Sequence, residues 1–127
     1  MALPVHAEVG AVPNFGHNLM EANAFFVVQD ADSAAIRFAK LKSELREMRT
    51  MLSWSPACGR PARFLKVRSV QAHLRVEAIV DLAKQAGLPF LREYVVDKHI
   101  VLYAHSATEV VLLALKHQRQ LIYSVVQ

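Results

Sequence analysis

The densest run of chemically capable side chains is Lys116-His117-Gln118-Arg119-Gln120, with Tyr123 shortly beyond it. It directly follows the apolar stretch Val110-Val111-Leu112-Leu113-Ala114-Leu115, so its nitrogen-rich side chains form a polar rim at the end of a buried element. His117, Arg119 and Tyr123 stand at spacings of 2 and 4. An imidazole, a guanidinium and a phenol brought to one cleft can deprotonate a 2′-hydroxyl, neutralise a phosphate and protonate a leaving oxygen, the tasks of RNA cleavage by 2′-hydroxyl attack. Arg119 also suits bidentate contact with phosphate. The same residues fit a structural role, in which Arg119 pairs with an acidic group and holds the C-terminal segment on its sheet. A second basic region runs from Arg60 through Arg63, Lys66 and Arg68 to Arg75. Arg60, Arg63 and Lys66, with Arg92 and Lys116, are candidate contacts to nucleic acid or to a protein partner.

Metal and thiol chemistry have weaker claims. Of the six histidines, His99 and His105 share strand parity but stand roughly 20 Å apart at extended rise, too far to chelate one ion. His6, His17 and His73 are scattered, so no metal site is expected. Cys58 is the only cysteine; it has no motif around it, forms no internal disulfide and fits a reducing cytoplasm. There is no phosphate-cradling glycine loop and no zinc-type cysteine spacing, so no cofactor is expected.

The elements that must position these groups follow from periodicity. Phe90–Val96, His99–His105 and Glu109–Lys116 are β-rich runs separated by Asp97-Lys98 and by Ser106-Ala107-Thr108, polar breaks of hairpin length. In the last run both parities are apolar, Val111, Leu113 and Leu115 on one and Val110, Leu112 and Ala114 on the other. That pattern predicts Val110–Leu115 as a central strand covered on both faces. Upstream, Val5–Val9 alternates as a first strand, and Asn18 is placed to cap a short helix over Leu19–Gln29. Asp32 is placed to cap the longest helix, Ser33 to about Leu52. Its Phe38, Leu41, Leu45, Met48 and Leu52 recur at spacings of 3, 4, 3 and 4, a one-sided stripe and the expected principal helix-to-sheet contact. Ser53–Pro61 is a turn, Ala62–Val67 a further strand, and Ser69–Ala86 a third helix stopped by Gly87-Leu88-Pro89.

LREYVVDKHIVLYAH followed by VVLLALKHQRQLIY resembles the C-terminal half of the ParE/RelE superfamily, toxins of bacterial type II toxin–antitoxin systems. The features that carry the resemblance are Arg92, the Leu102-Tyr103 step, the aliphatic Val110–Leu115 and His117-x-Arg119. The Ala34-Ala35 step with its apolar stripe, and the Pro56, Gly59, Arg60 turn, extend it upstream. The helix at 69–86 is an insert relative to the shortest members. The resemblance implies an α+β fold, a helical hairpin packed on a small, twisted, mainly antiparallel β-sheet with that additional helix, in one domain over residues 1–127. It implies a toxin that arrests growth, neutralised by a cognate antitoxin in a hetero-oligomer, and acting on DNA gyrase or on ribosome-bound mRNA. His117, Arg119 and Tyr123 would be catalytic only in the ribonuclease branch. That branch tends to carry lysines on the strand before the hairpin and an arginine before the "LVY" step. Here Arg92 lies between Leu91 and Glu93, and Ile100 stands where the arginine would be. This favours the gyrase-poison mode, leaving the mRNA endonuclease and a non-catalytic basic binding module as alternatives.

Whole-chain properties agree with that range of partners. A length of 127 residues supports one modest core. A formal charge of +4 and a pI near 9.5 favour an acidic partner, whether nucleic acid, an acidic protein segment or an anionic surface. No apolar run approaches the ~18 residues that span a bilayer, and MALPVHAEVG lacks the basic and long apolar regions of a signal peptide, so a cytoplasmic location without membrane attachment is expected.

Overall fold

A computed structural model describes residues 6–62, 70–120 and 122–125. The chain runs β1 (Glu8–Ala11), α1 (Pro13–Gln29), α2 (Ala31–Trp54), a 3₁₀ turn at Pro56–Cys58, β2 (Arg60–Pro61), α3 (Val70–Ala86), β3 (Phe90–Val96), β4 (His99–His105) and β5 (Glu109–His117). The strands form one sheet in the order β1-β5-β4-β3-β2. β1 lies parallel to β5 and every other pair is antiparallel. The architecture is the expected α+β: a helical hairpin on one face of a mainly antiparallel sheet, and the additional helix on the other.

Each helix start follows local chemistry that apolar periodicity does not register. α1 begins at Pro13, whose fixed φ suits the first helical position, and not at Leu19. Asn18 is therefore no cap; it sits buried inside the helix, in line with Asn14 and Phe26 at multiples of one turn. The buried stripe of α1 opens on amides, which a search for apolar residues passes over. α2 is capped by Asp30, whose carboxylate accepts from the Asp32 N–H at 3.1 Å. Asp32 lies in the first turn, where its charge suits the helix dipole.

Of the α2 stripe, Leu41, Leu45, Met48 and Leu52 are buried as their spacing predicts, Phe38 is half-buried against the same core, and Ala34 extends the buried side by one turn. Leu52 is fully buried, a site where such a side chain contributes about 1.5–3 kcal/mol. The stripe is not the principal contact with the sheet, because α1 shares that role: α1 lies on β5, while α2 spans β1, β3 and β5. The first strand is displaced to Glu8–Ala11, and Arg60–Pro61, expected as the end of a turn, pairs as a short strand. Of the expected strand at Ala62–Val67, Ala62 is in no strand and 63–67 lie outside the described residues.

β4 is the central strand, and all seven of its residues are buried. β5 is interior, paired with β1 on one side and β4 on the other. Its two faces feed separate cores: Val110, Leu112 and Leu115 pack with α1 and α2, while Leu113 and Ala114 pack with Ile79 of α3. The simple parity expected from the sequence fails here for a definite reason. The β4–β5 register jumps from Leu102↔Ala114 to Tyr103↔Leu112, leaving Leu113 as the extra residue of a β-bulge. Beyond the bulge every side chain of β5 has changed face.

β1 reaches only Leu112, so the outer edge of β5 beyond it needs other partners. α1 supplies them. The Asn14 amide donates to Leu113 O at 3.2 Å, and Asn18 Oδ1 accepts from Leu115 N at 2.9 Å. Both asparagines also donate to Ser124 O, at 3.1 and 3.0 Å, holding the C-terminal segment beside the helix. Two buried amides thus take the place of a strand.

Candidate functional site

Strand alternation puts the neighbours Lys116 and His117 on opposite faces of the sheet, and the bulge decides which face each takes. His117 falls on the side of α1 and α2, and Lys116 on the side of α3. Tyr123 joins Lys116, with the Lys116 Nζ 5.5 Å from the centre of its ring. The three residues expected to act together are therefore divided: His117 and Arg119 line one cleft, and Tyr123 lies in the α3-side core.

On the α3 side, Tyr123 is 1% exposed and its hydroxyl donates to the Glu93 carboxylate, itself 2% exposed. Arg60 Nε stands 3.6 Å from the other Glu93 oxygen and, among the described residues, has no hydrogen-bond partner. Lys116 Nζ donates to Gln120 O at 2.7 Å. Burial and then the Glu93 carboxylate push the Tyr123 phenol far up, so it stays protonated. Burial pulls Lys116 down, opposed by Glu93. Arg60, Lys116 and Tyr123 are thus gathered around one buried carboxylate.

Arg92 proves to be a fastener. Its Nε donates to His105 Nε2 at 3.0 Å and its Nη1 to Gly59 O at 3.1 Å. Because arginine only donates, His105 Nε2 is the acceptor and its Nδ1 carries the hydrogen toward Ser106 O. The Tyr103 hydroxyl completes the knot, donating to Pro56 O at 2.7 Å and accepting from Gly59 N at 2.9 Å. Burial pushes that phenol up to about 12. A β-carbon on Gly59 would stand 2.5 Å from the Tyr103 hydroxyl and 2.6 Å from Glu93 O, so only glycine fits under the strand. Arg63 and Lys66 lie outside the described residues.

The accessible chemistry lies at the other end of the sheet, on the face of α1 and α2. His99 opens β4 and pairs directly across from His117, the last residue of β5. The two rings meet edge to face, 5.3 Å between centres. The Asp97-Lys98 turn brings its backbone to the same end, Lys98 O accepting from Gln118 N at 2.8 Å, with Asp97 in the left-handed region. Beside them is a cleft of about 550 Å³, lined by Phe25 and Ala22 from α1, by Leu115, and by the cations Arg37, Lys98, Lys116 and Arg119. A smaller hollow of about 170 Å³ continues it toward Leu41 and Asp97.

Both imidazoles are held below their ordinary pKa. For His99 burial is the main cause, then His117, with Asp97 opposing and Arg37 adding. For His117 burial comes first, followed by Arg119, Lys98, Lys116 and Arg37, all cations. His117 Nδ1 accepts the Arg119 N–H at 3.1 Å, so in the neutral ring Nε2 bears the hydrogen. The free nitrogen of His117 is a donor, suited to binding an anion and not to taking a proton.

Arg37, Lys98, His99 and Asn18 belong to this site without having been singled out for it. Arg37 sits off the apolar stripe of α2, and the pairing of His99 with His117 depends on a register that the bulge sets. The usable signal was that His99 follows the turn immediately, which placed it at a strand end. Among the described residues, no three metal-ligating side chains cluster. Compared with models of known protein families and with curated proteins, the chain matches none.

Proposed function

We propose that this chain is the toxin of a type II toxin–antitoxin pair and arrests growth by binding its target, DNA gyrase, without cleaving RNA. The resemblance spanning Phe90 to Tyr123 supports the toxin assignment, and the α+β fold it implied is the fold observed. The observation that carries the non-cleaving mode is the division of the presumed catalytic set. Tyr123 is bound to Glu93 beneath α3, while His117 faces the opposite side with its lone pair committed to the Arg119 amide. A cleaving centre needs base, acid and phosphate ligand within reach of one phosphodiester. The cognate antitoxin would contribute an acidic-apolar segment that folds on binding. The exposed Met20, Val27, Val28 and Ile36 of the helical hairpin offer apolar surface for it.

The test is induced expression with and without the short antitoxin encoded beside the gene, scoring growth, mRNA integrity and DNA damage together. Growth arrest with intact mRNA and gyrase-dependent DNA breaks, relieved by the antitoxin, is the expected result. Site-specific mRNA cuts that vanish in folded His117→Ala or Tyr123→Phe would establish the endonuclease alternative. A second reading, a non-catalytic basic binding module, is favoured by one feature: Arg37, Lys98 and Arg119 have no carboxylate partner within ion-pair distance among the described residues. It predicts salt-dependent binding without growth arrest.

A further inference from the structure

The cleft over His99 and His117 combines three properties that seldom meet without a ligand. Its volume of about 550 Å³ lies within the range of small-molecule sites. Its charge is one-sided: Arg37, Lys98, Lys116 and Arg119 line it, Arg37 lying over the Phe26 ring and Lys116 Nζ donating to Gln120 O, and its only acidic lining residue among the described residues is Glu21. Its apolar lining is Phe25, half exposed (50%), with Ala22 and Leu115. A half-exposed phenylalanine in a cationic cleft suits a ligand with a flat ring and an anionic tail.

We propose that this cleft binds a nucleoside monophosphate, with the phosphate among Arg37, Lys98, Arg119 and the His117 Nε2–H, and the base against Phe25. A single carboxylate ligand would leave most of the cationic charge unanswered, whereas a phosphate brings nearly two negative charges and three strong acceptor oxygens. Guanidinium groups bind such an oxyanion in paired hydrogen bonds, and the protonated nitrogen of His117 adds a further donor. The surrounding cations already disfavour a proton on His117, so an anion bound there relieves that repulsion and draws its pKa up. Asp97, which faces His99 from the neighbouring turn, and Glu44 line the smaller hollow, which shares Arg37, Lys98, His99 and His117 with the larger cleft; neither carboxylate lines the larger cleft itself. This inference does not depend on the toxin assignment.

The experiment is calorimetric titration of the full chain with AMP, adenosine, inorganic phosphate and a single-stranded hexanucleotide, joined to NMR titration of the His117 ring. AMP should bind saturably, with adenosine and phosphate each at least about tenfold weaker, since each lacks one half of the contact. Arg37→Gln and Arg119→Gln should each weaken AMP by about tenfold or more and leave adenosine unchanged. Phe25→Ala should weaken AMP and leave phosphate unchanged. Arg46→Gln, an exposed cation on α2 outside the cleft, should do nothing. AMP should raise the His117 pKa. Circular dichroism melting of each variant separates lost binding from lost folding, and the shift of His117 in the wild type needs no variant at all. The proposal is overturned by absence of saturable AMP binding, by phosphate binding as well as AMP, or by Arg46→Gln weakening AMP as much as Arg37→Gln. It is equally overturned if His117 is unmoved at AMP saturation, or if the hexanucleotide binds tenfold or more tightly than AMP, which would make the cleft a polymer site.

Discussion

The two faces of the sheet use similar residue types to opposite ends. On the α3 face, Arg60 and Tyr123 turn their polar atoms to the buried Glu93, and Lys116 lies beside the Tyr123 ring with its Nζ on Gln120 O. On the face of α1 and α2, Arg37, Lys98 and Arg119 surround two imidazoles at an open cleft, with no carboxylate of their own. Cations gathered around a buried carboxylate organise a core, whereas cations without one generate a field that awaits an anion. Lys116 and His117, neighbours in sequence, sit on opposite sides of that division.

The largest loss of stability is expected from the α3 face. Glu93→Ala removes the acceptor of Tyr123 and the counter-charge of Arg60, so chemical denaturation should show a loss of about 3–5 kcal/mol. A loss below that would mean that the cluster is less dependent on its carboxylate than its burial implies. Next comes the amide pair that ties α1 to the edge of β5 and to the C-terminal segment. Asn18→Ala leaves Leu115 N unpaired inside the protein and frees part of the Ser124 contact. A destabilisation of about 2 kcal/mol is expected in the same measurement.

The pH dependence separates the faces without any change in composition. Burial holds His99 and His117 below 6.5, so the unfolded chain takes up these protons first as the pH falls. The stability associated with the neutral rings is complete above pH 6.5 and is lost as the pH falls from there through the folded values. Thermal melting across that window should show a decline, made shallower by His99→Gln and left unaltered by Tyr123→Phe. An unchanged slope in His99→Gln would place the titrating groups elsewhere. The smallest effect belongs to the exposed ion pair on α2. Lys40 Nζ and Glu44 Oε1 are 3.8 Å apart, one turn along the helix. Lys40→Gln should cost less than about 0.5 kcal/mol, measured as a shift in denaturation midpoint.

Much of this molecule was legible one residue at a time. The 3, 4, 3, 4 spacing of Phe38, Leu41, Leu45, Met48 and Leu52 dictates a helix with one buried side, because only that side can meet a sheet. Asp97-Lys98 between two β-rich runs dictates a hairpin, and the two-sided apolar character of Val110–Leu115 dictates an interior strand. These are consequences of local periodicity and turn chemistry. The buried face of α1 was not legible in this way: Pro13 marks where the helix starts, but Asn14 and Asn18 are buried for hydrogen bonds with β5 and Ser124, and no local pattern names those partners.

The sequence by itself determined that Lys116, His117, Arg119 and Tyr123 would gather near the end of a strand. Which of them would meet was decided by the β-bulge at Leu113. A strand alternates its side chains between two faces, so one unpaired residue exchanges the faces of all that follow. That exchange sets His117 against His99 on the α1 side and turns Lys116 to the α3 side, where the returning chain lays the Tyr123 ring beside it. A bulge is a mismatch between two strands, with no signature in either strand alone, and so the site became visible only when β4 and β5 were paired.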